Sequence, residues 1–295
     1  MKEQTTTEQR AARSKMISLA IADELVMLQS PLKKSYERTQ QCASWISVNY
    51  DQQVVTKRCK NRWCIQCNRI RTAQQIREWA PVLATISKPK FVTLTVVNCS
   101  PINLPSLIQE MYISWCEIKD IMRKKGVKLV GLRKLEITYN SEAKTYHPHF
   151  HIILSNEKHA CSRVVSYWLK KFPTSESWCQ NVTDLSKGWD IELFKYFTKI
   201  VYKINGVFSV DVKVLDHIMR SIKGKRTFQS FGIKKLLECE LLQTEGVAPL
   251  SITPNLYKWC RLTNDWIALK HLPYAYHKPS LNVKNLVLNI KQTNK

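Results

Sequence analysis

Between Phe91 and Leu185 the chain switches repeatedly between two hydrophobic periods, and this alternation restricts the folds open to it. Phe91–Val97 (FVTLTVV) is rich in β-branched residues and reads as a strand. Leu104–Lys125 carries Leu107, Ile108, Met111, Tyr112, Trp115, Ile118 and Met122 on one helical stripe and closes at Gly126. Two strands follow, Lys128–Tyr139 and Tyr146–Leu154, joined by the polar stretch 140–145. Lys158–Lys171 reads as a helix stopped before Pro173, and Trp178–Leu185 as a weaker strand. The order β-α-β-β-α-β is that of the split βαβ unit. It predicts an antiparallel sheet with the 91–97 and 146–154 strands side by side at its centre. Both helices should cover one face, leaving the other open and basic. Helices are also predicted over 8–29 and over Asp190–Ile204.

Lys and Arg number 46 against 23 Asp and Glu, a net charge of +23. Such a field attracts polyanions, and nucleic acid is favoured over an anionic membrane surface because no lipid-anchored basic helix is evident. No run of about 18 apolar residues exists, so no membrane span is expected. The polar start MKEQTTTEQR is unlike a secretory signal. Ten cysteines in such a chain suggest reduced thiols and a cytoplasmic location.

Cys42, Cys59, Cys64 and Cys67 are spaced C-x16-C-x4-C-x2-C. The C-x2-C half can present two thiolates from one tight turn to a tetrahedral ion, so a structural Zn²⁺ site is expected. Seven basic residues and no acidic one lie between Gln52 and Arg77. These cations stabilise thiolates and can contact phosphates. Arg62, Arg69 and Arg71, with Lys225 and Arg226 of the later KGKR turn, are the candidate DNA contacts. The other six cysteines, Cys99 and Cys116 among them, read as core.

His147, His149 and His151 alternate along one strand and so share a face. At about 3.3 Å per residue the outer two stand roughly 13 Å apart, so one ion can take two neighbours but not all three. A turn centred between Glu142 and Ala143 sets Glu136 opposite His149 on the same face. Two imidazoles and a carboxylate suit Mg²⁺, Mn²⁺ or another divalent ion.

On the 190–204 segment, read as a helix, Glu192, Tyr196, Lys199 and Lys203 fall within roughly 60° of one another. Leu193, Phe197, Ile200, Val201 and Ile204 form the opposite face. A phenol with a pKa near 10 is a poor nucleophile unaided, and a lysine and a carboxylate beside it are the help it needs. Tyr202 lies about 120° from Tyr196 and is the poorer candidate.

These segments, in this order, resemble the plasmid rolling-circle replication initiators of the HUH (His-hydrophobic-His) endonucleases. FVTLTVVN resembles the family's first motif and YHPHFHIIL its second, with His149-Phe150-His151 as the HUH triplet. Glu192-x3-Tyr196-x2-Lys199 resembles its third. CKNRWCIQCNRIR resembles the cysteine- and arginine-rich stretch upstream, with Ile65 where the family commonly has proline, and KGKRTFQSFG resembles a late basic motif. The resemblance covers about residues 40–235. It implies an α+β fold, an HUH/ferredoxin-like antiparallel sheet with a tyrosine-bearing helix and an N-terminal cysteine-rich zinc element. It implies that His149 and His151, with Glu136 as third ligand, hold the divalent ion. It further implies that Tyr196 attacks a scissile phosphate in single-stranded or extruded plasmid origin DNA, becoming 5′-phosphotyrosyl-linked and leaving a 3′-OH. Glu192 would activate the closing step.

The expected organisation is an N-terminal helical extension (1–40), a cysteine-rich segment (41–80), an endonuclease domain (86–235) and a basic C-terminal extension (236–295). The chain lacks a GxxxxGK[ST] loop, so unwinding calls for a host helicase, with a host DNA polymerase extending the 3′ end. No small-molecule cofactor and no membrane partner are expected, and the setting is a bacterial cytoplasm. Two other readings remain open from sequence: a transposase or mobilisation relaxase of the same chemistry, and a non-catalytic, zinc-stabilised DNA-binding regulator.

Overall fold

The structure, a computed structural model, describes residues 7–48, 54–185, 202–204, 207–234 and 255–269. In chain order the principal elements are α1 (Thr7–Met27), α2 (Lys33–Gln40), β1 (Trp45–Val48), β2 (Val54–Val55), α3 (Ile65–Ala84), β3 (Pro89–Thr95) and α4 (Leu104–Lys124). Then come β4 (Gly131–Asn140), β5 (Thr145–Ser155), α5 (Ala160–Lys171), β6 (Asn181–Asp184), β7 (Tyr202–Ile204) and β8 (Val207–Ser209). A helix over Val212–Ser221 precedes β9 (Phe228–Phe231), β10 (Asn255–Cys260) and β11 (Asp265–Ala268). The chain divides into two units, one from Met1–Arg71, Ile200–Asp216 and Cys239–Lys295, the other from Thr72–Lys199 and His217–Glu238.

The first unit holds an antiparallel sheet in the order β11-β10-β1-β2. Trp45 pairs with Lys258 and Val48 with Asn255, so strands far apart in sequence share one ladder. The β10-β11 hairpin sets Trp259 edge-on to Trp266 at 4.7 Å, and the Trp266 indole N–H donates to the Ala43 carbonyl oxygen. Helix α1 buries Ala12, Met16, Ile17, Leu19, Ala20, Ile21, Ala22 and Leu25, so apolar residues on more than one side of it are covered.

The second unit holds a five-stranded antiparallel sheet in the order β6-β3-β5-β4-β9. As the element order required, β3 and β5 are central neighbours. Gly131 opens β4 where the strands run closest: a Cβ there would lie 1.9 Å from the Ile153 carbonyl oxygen. Alternation along β5 sends Phe150 to one face and His149 and His151 to the other. Phe150 is fully buried, with the rings of Tyr112 and Trp115 from α4 and Trp168 from α5 at 5.6–6.4 Å. Both helices therefore cover the Phe150 face. On α4 the buried stripe is Leu104, Ile108, Met111, Trp115, Ile118 and Met122, each large side chain contributing about 1.5–3 kcal/mol by leaving water.

The opposite face, expected to be open, is covered at one end. The second half of α3 and the turn after it lay Trp79, Val82, Leu83 and Ile86 over Leu132 and Ile153. The cause is the apolar character of Leu132 and Ile153, which share a register position at that end of the sheet and need cover.

The helix expected over 190–204 is corrected at its end. Tyr202–Ile204 is a strand, pairing with Val207–Ser209 in register Ile204↔Val207. Asn205-Gly206 between two β-prone runs is a strong hairpin signal and overrides the helical period there. The argument that set Tyr202 aside by helical angle therefore no longer applies. Glu192, Tyr196 and Lys199 lie outside the described residues. Cys116 is also corrected: it is exposed, because it sits one residue off the α4 stripe beside buried Trp115. Cys99 and Cys161 are buried. No helix among the described residues is long and apolar enough to cross a membrane.

Candidate functional site

Strands β4 and β5 pair with Glu136 directly opposite His149, and Lys134 opposite His151. This register brings three metal-ligating groups together. The His151 Nε2 lies 3.0 Å from Glu136 Oε2, the His149 Nε2 lies 3.8 Å from that oxygen, and the two Nε2 atoms are 3.1 Å apart. Ligand atoms about 2.1 Å from a common ion, at angles near 90–110°, stand roughly 3.0–3.4 Å apart. The spacing thus fits one divalent ion held by a mixed N/O set, and the group could hold a metal.

The rings are oriented by their other nitrogens. His149 Nδ1 lies 3.2 Å from the His147 carbonyl oxygen, an acceptor only, so Nδ1 carries the proton and Nε2 keeps its lone pair. His151 Nδ1 lies 3.2 Å from the Thr93 hydroxyl on β3. Burial, reinforced by the neighbouring His151, pulls the His149 pKa down to about 4, so His149 is a neutral imidazole at neutral pH. Burial pushes the Glu136 carboxyl up, but the His151 hydrogen bond, the Lys134 charge and, at the acid pH where this carboxyl titrates, the positive charge the two imidazoles take on there outweigh it and hold the group below its ordinary value. His147 stands apart from this set: its Nδ1 is 2.8 Å from Asn98 Oδ1.

In the first unit the sulfurs of Cys42, Cys59, Cys64 and Cys67 all lie within 4.8 Å of one another, and all four residues are buried. Cys42 is 3.5 Å from Cys67, Cys59 is 3.6 Å from Cys67, and Cys64 is 3.8 Å from Cys42. Four sulfurs 2.3 Å from a tetrahedral ion stand about 3.8 Å apart, so the cluster has the dimensions of one metal shell. The separations exclude disulfides, whose sulfurs are about 2.05 Å apart. Hydrogen bonds among the thiols push Cys42 and Cys64 up, with burial adding to the rise, and pull Cys59 and Cys67 down against burial. Lys15, buried in α1, donates to the carbonyl oxygens of Gln40 (2.9 Å) and Cys42 (2.5 Å). Burial lowers its pKa to about 8, opposed by the nearby sulfurs of Cys42, Cys64 and Cys59. Four thiolates around a dication carry a net charge of −2, and Lys15 supplies part of the countercharge such a set needs.

The basic candidates are held in different ways. Arg69 donates to the Arg10 carbonyl oxygen and the Ser14 hydroxyl, and Arg71 to the Lys60 carbonyl oxygen, so both fasten backbone around the cysteine cluster. Arg62 is half-buried in the same segment. Lys225 is bound to Gln109 Oε1 at 2.7 Å, and Arg226 is exposed. Sequence reasoning did not single out Thr93, Asn98, Lys134 or Lys15. Thr93 and Asn98 both lie in FVTLTVVN, but their part in orienting histidines follows only from the β3-β5 register, with Thr93 opposite His151.

No solved structure matches the chain. Several curated proteins named Protein rep are similar to it. That of Streptococcus pneumoniae serotype 2 (strain D39) is 28% identical over 175 residues, covering 56% of this chain and 48% of the relative. One from a Bacillus species is 26% identical over 200 residues, covering 63% and 61%, and one from Staphylococcus aureus is 29% identical over 149 residues, covering 46% and 61%. The chain thus spans about half the length of the curated relatives it matches. The family profile described as Replication protein matches residues 51–248, a span that takes in the histidine strand, Glu136 and three of the four clustered cysteines; the chain belongs to this replication protein family, Rep_1.

Proposed function

We propose that this chain nicks and rejoins one DNA strand at a plasmid origin and so starts and ends rolling-circle replication. The observation that carries the reading is the convergence of Glu136, His149 and His151 within 3.0–3.8 Å on one sheet face. Family membership supports a role in replication initiation. The HUH/ferredoxin-like reading of the fold is supported by the order β6-β3-β5-β4, in which strands of the two βαβ halves alternate.

Glu136, His149 and His151 would hold Mg²⁺ or Mn²⁺, hard ions suited to a set that includes a carboxylate and leaves open positions. When bound, the ion supplies Lewis acidity that draws charge from a phosphoryl oxygen. Thr93 and the His147 carbonyl keep the two imidazoles aimed at the same point. Tyr196 attacks the scissile phosphorus: its oxygen–phosphorus bond forms as the bond to the 3′ oxygen breaks. The phenol loses a proton and the 3′ oxygen gains one, leaving a 3′-OH for a host polymerase and the 5′ phosphate on Tyr196. Lys199 stabilises the negative charge of this step. At termination Glu192 takes the proton from the water or 3′-OH that releases the strand. Cys42, Cys59, Cys64 and Cys67 hold Zn²⁺ in a structural role, and Arg62, Arg69, Arg71, Lys225 and Arg226 are the phosphate contacts. A host helicase separates the strands.

The test is transfer of the 3′ portion of a 3′-end-labelled single-stranded oligonucleotide to the protein, with Mn²⁺ or Mg²⁺, read on a denaturing gel. A labelled band in wild type that is lost in Tyr196→Phe is expected. No band from wild type with any strand tiled across its plasmid origin overturns the proposal.

A further inference from the structure

On the outer side of the helical layer, six side chains line a pocket of about 370 Å³: Lys125, Ser162, Arg163, Ser166, Tyr167 and Lys170. Lys125 lies just past the end of α4, and the other five recur along the outward side of α5, whose inward side is Ala160, Cys161, Val164 and Trp168. Ser162 to Lys170 spans about 12 Å of helix. The ammonium nitrogens of Lys125 and Lys170 each stand 5.6 Å from the centre of the Tyr167 ring. The lining holds three cations, three hydroxyls and no carboxylate. Neighbouring cations are arranged differently: Lys171 pairs with Glu117 and Arg123 with Asp120. The pocket therefore concentrates positive charge and hydrogen-bond donors, the chemistry that recognises phosphate oxygens.

We propose that this pocket is a second nucleic-acid contact, which grips the phosphate backbone of the duplex flanking the nicked strand. The assignment of that duplex to origin DNA rests on the function proposed above; the phosphate chemistry does not. The strand under cleavage belongs on the face of His149 and His151, whereas α5 covers the Phe150 face. DNA that reaches the pocket therefore lies away from the cleavage face, and on the function proposed above that is the part of the origin whose strands stay paired. A 12 Å run of donors matches three or four phosphates of one strand, at about 3.4 Å of axis per phosphate.

The experiment measures binding of a fluorescein-labelled random-sequence duplex by the full chain across a salt series. The triple variant Lys125→Gln, Arg163→Gln, Lys170→Gln should bind at least about 10-fold more weakly at low salt. Its plot of log affinity against log salt should flatten by about 0.9 per lost contact, or 2–3 in all. Lys33→Gln, Lys34→Gln, Lys213→Gln removes equal charge from exposed positions elsewhere and should change the slope by less than about 1. Adduct formation on a short single strand should be unchanged in both. An unchanged slope in the first triple, or an equal fall in the second, overturns the proposal. Loss of adduct formation in wild type bears on the nicking reading alone.

Discussion

The Nε2 atoms of His149 and His151 stand 3.1 Å apart, and the Nδ1 of His149 is committed to a backbone carbonyl. Two ring nitrogens and a carboxylate oxygen thus face one another in a largely buried site, an arrangement that favours a cation at its centre. His149→Ala or His151→Ala should abolish metal binding by calorimetry with Mn²⁺ and should abolish nicking. His147→Ala should be milder, since His147 bonds Asn98 instead. Equal losses in all three would show that the ligand set is wrong.

Thr93→Val keeps the shape of β3 but removes the hydroxyl beside His151 Nδ1. Loss of such an orienting partner typically costs about 10–100-fold in metal affinity or activity. Mn²⁺ titration should show a weaker dissociation constant in that range, with circular dichroism unchanged.

Cys64→Ser should release the metal from the cysteine cluster. Elemental analysis should find about one zinc per wild-type chain and none in the variant. Because binding free energy at structural zinc sites is also folding free energy, a strong chelator should lower the melting temperature of wild type and leave the variant unmoved. Wild type purified without zinc and insensitive to chelation would return the four sulfurs to a purely apolar role.

Glu192→Ala should form the covalent adduct at near wild-type rate yet release it slowly, because in the proposed mechanism only the closing step uses that base. A pulse of labelled oligonucleotide chased with unlabelled strand separates the two steps. Adduct formation and release slowed alike would place Glu192 in the first step too.

Phe150→Ala should cost about 3–5 kcal/mol in urea unfolding, because a large ring is removed from between Tyr112, Trp115 and Trp168. A cost under about 1 kcal/mol would contradict the packing described.

What the sequence made legible is local or periodic. The α4 stripe, the β5 alternation and the Glu136–His149 register all follow from period and from a short turn between adjacent strands. The pairings of β9 with β4 and of β1 with β10 were not legible, because nothing in a short strand names a partner distant in the chain. Tyr202–Ile204 was misread because its residues suit either period, and the Asn205-Gly206 pair should have decided it. Thr93 reaches His151 through a strand pairing, so its role emerges only in three dimensions.

The ladder between Trp45 and Lys258 also sets an order of events on the ribosome. At about 5–20 residues per second, β10 is made roughly 10–40 s after β1, and until then β1 has an unsatisfied edge. The four sulfurs of Cys42–Cys67 are complete long before that. Capture of metal by the nascent chain can therefore fix the amino-terminal segment first, and the sheet closes over it last, when the hairpin of Trp259 and Trp266 arrives to cover the exposed strand.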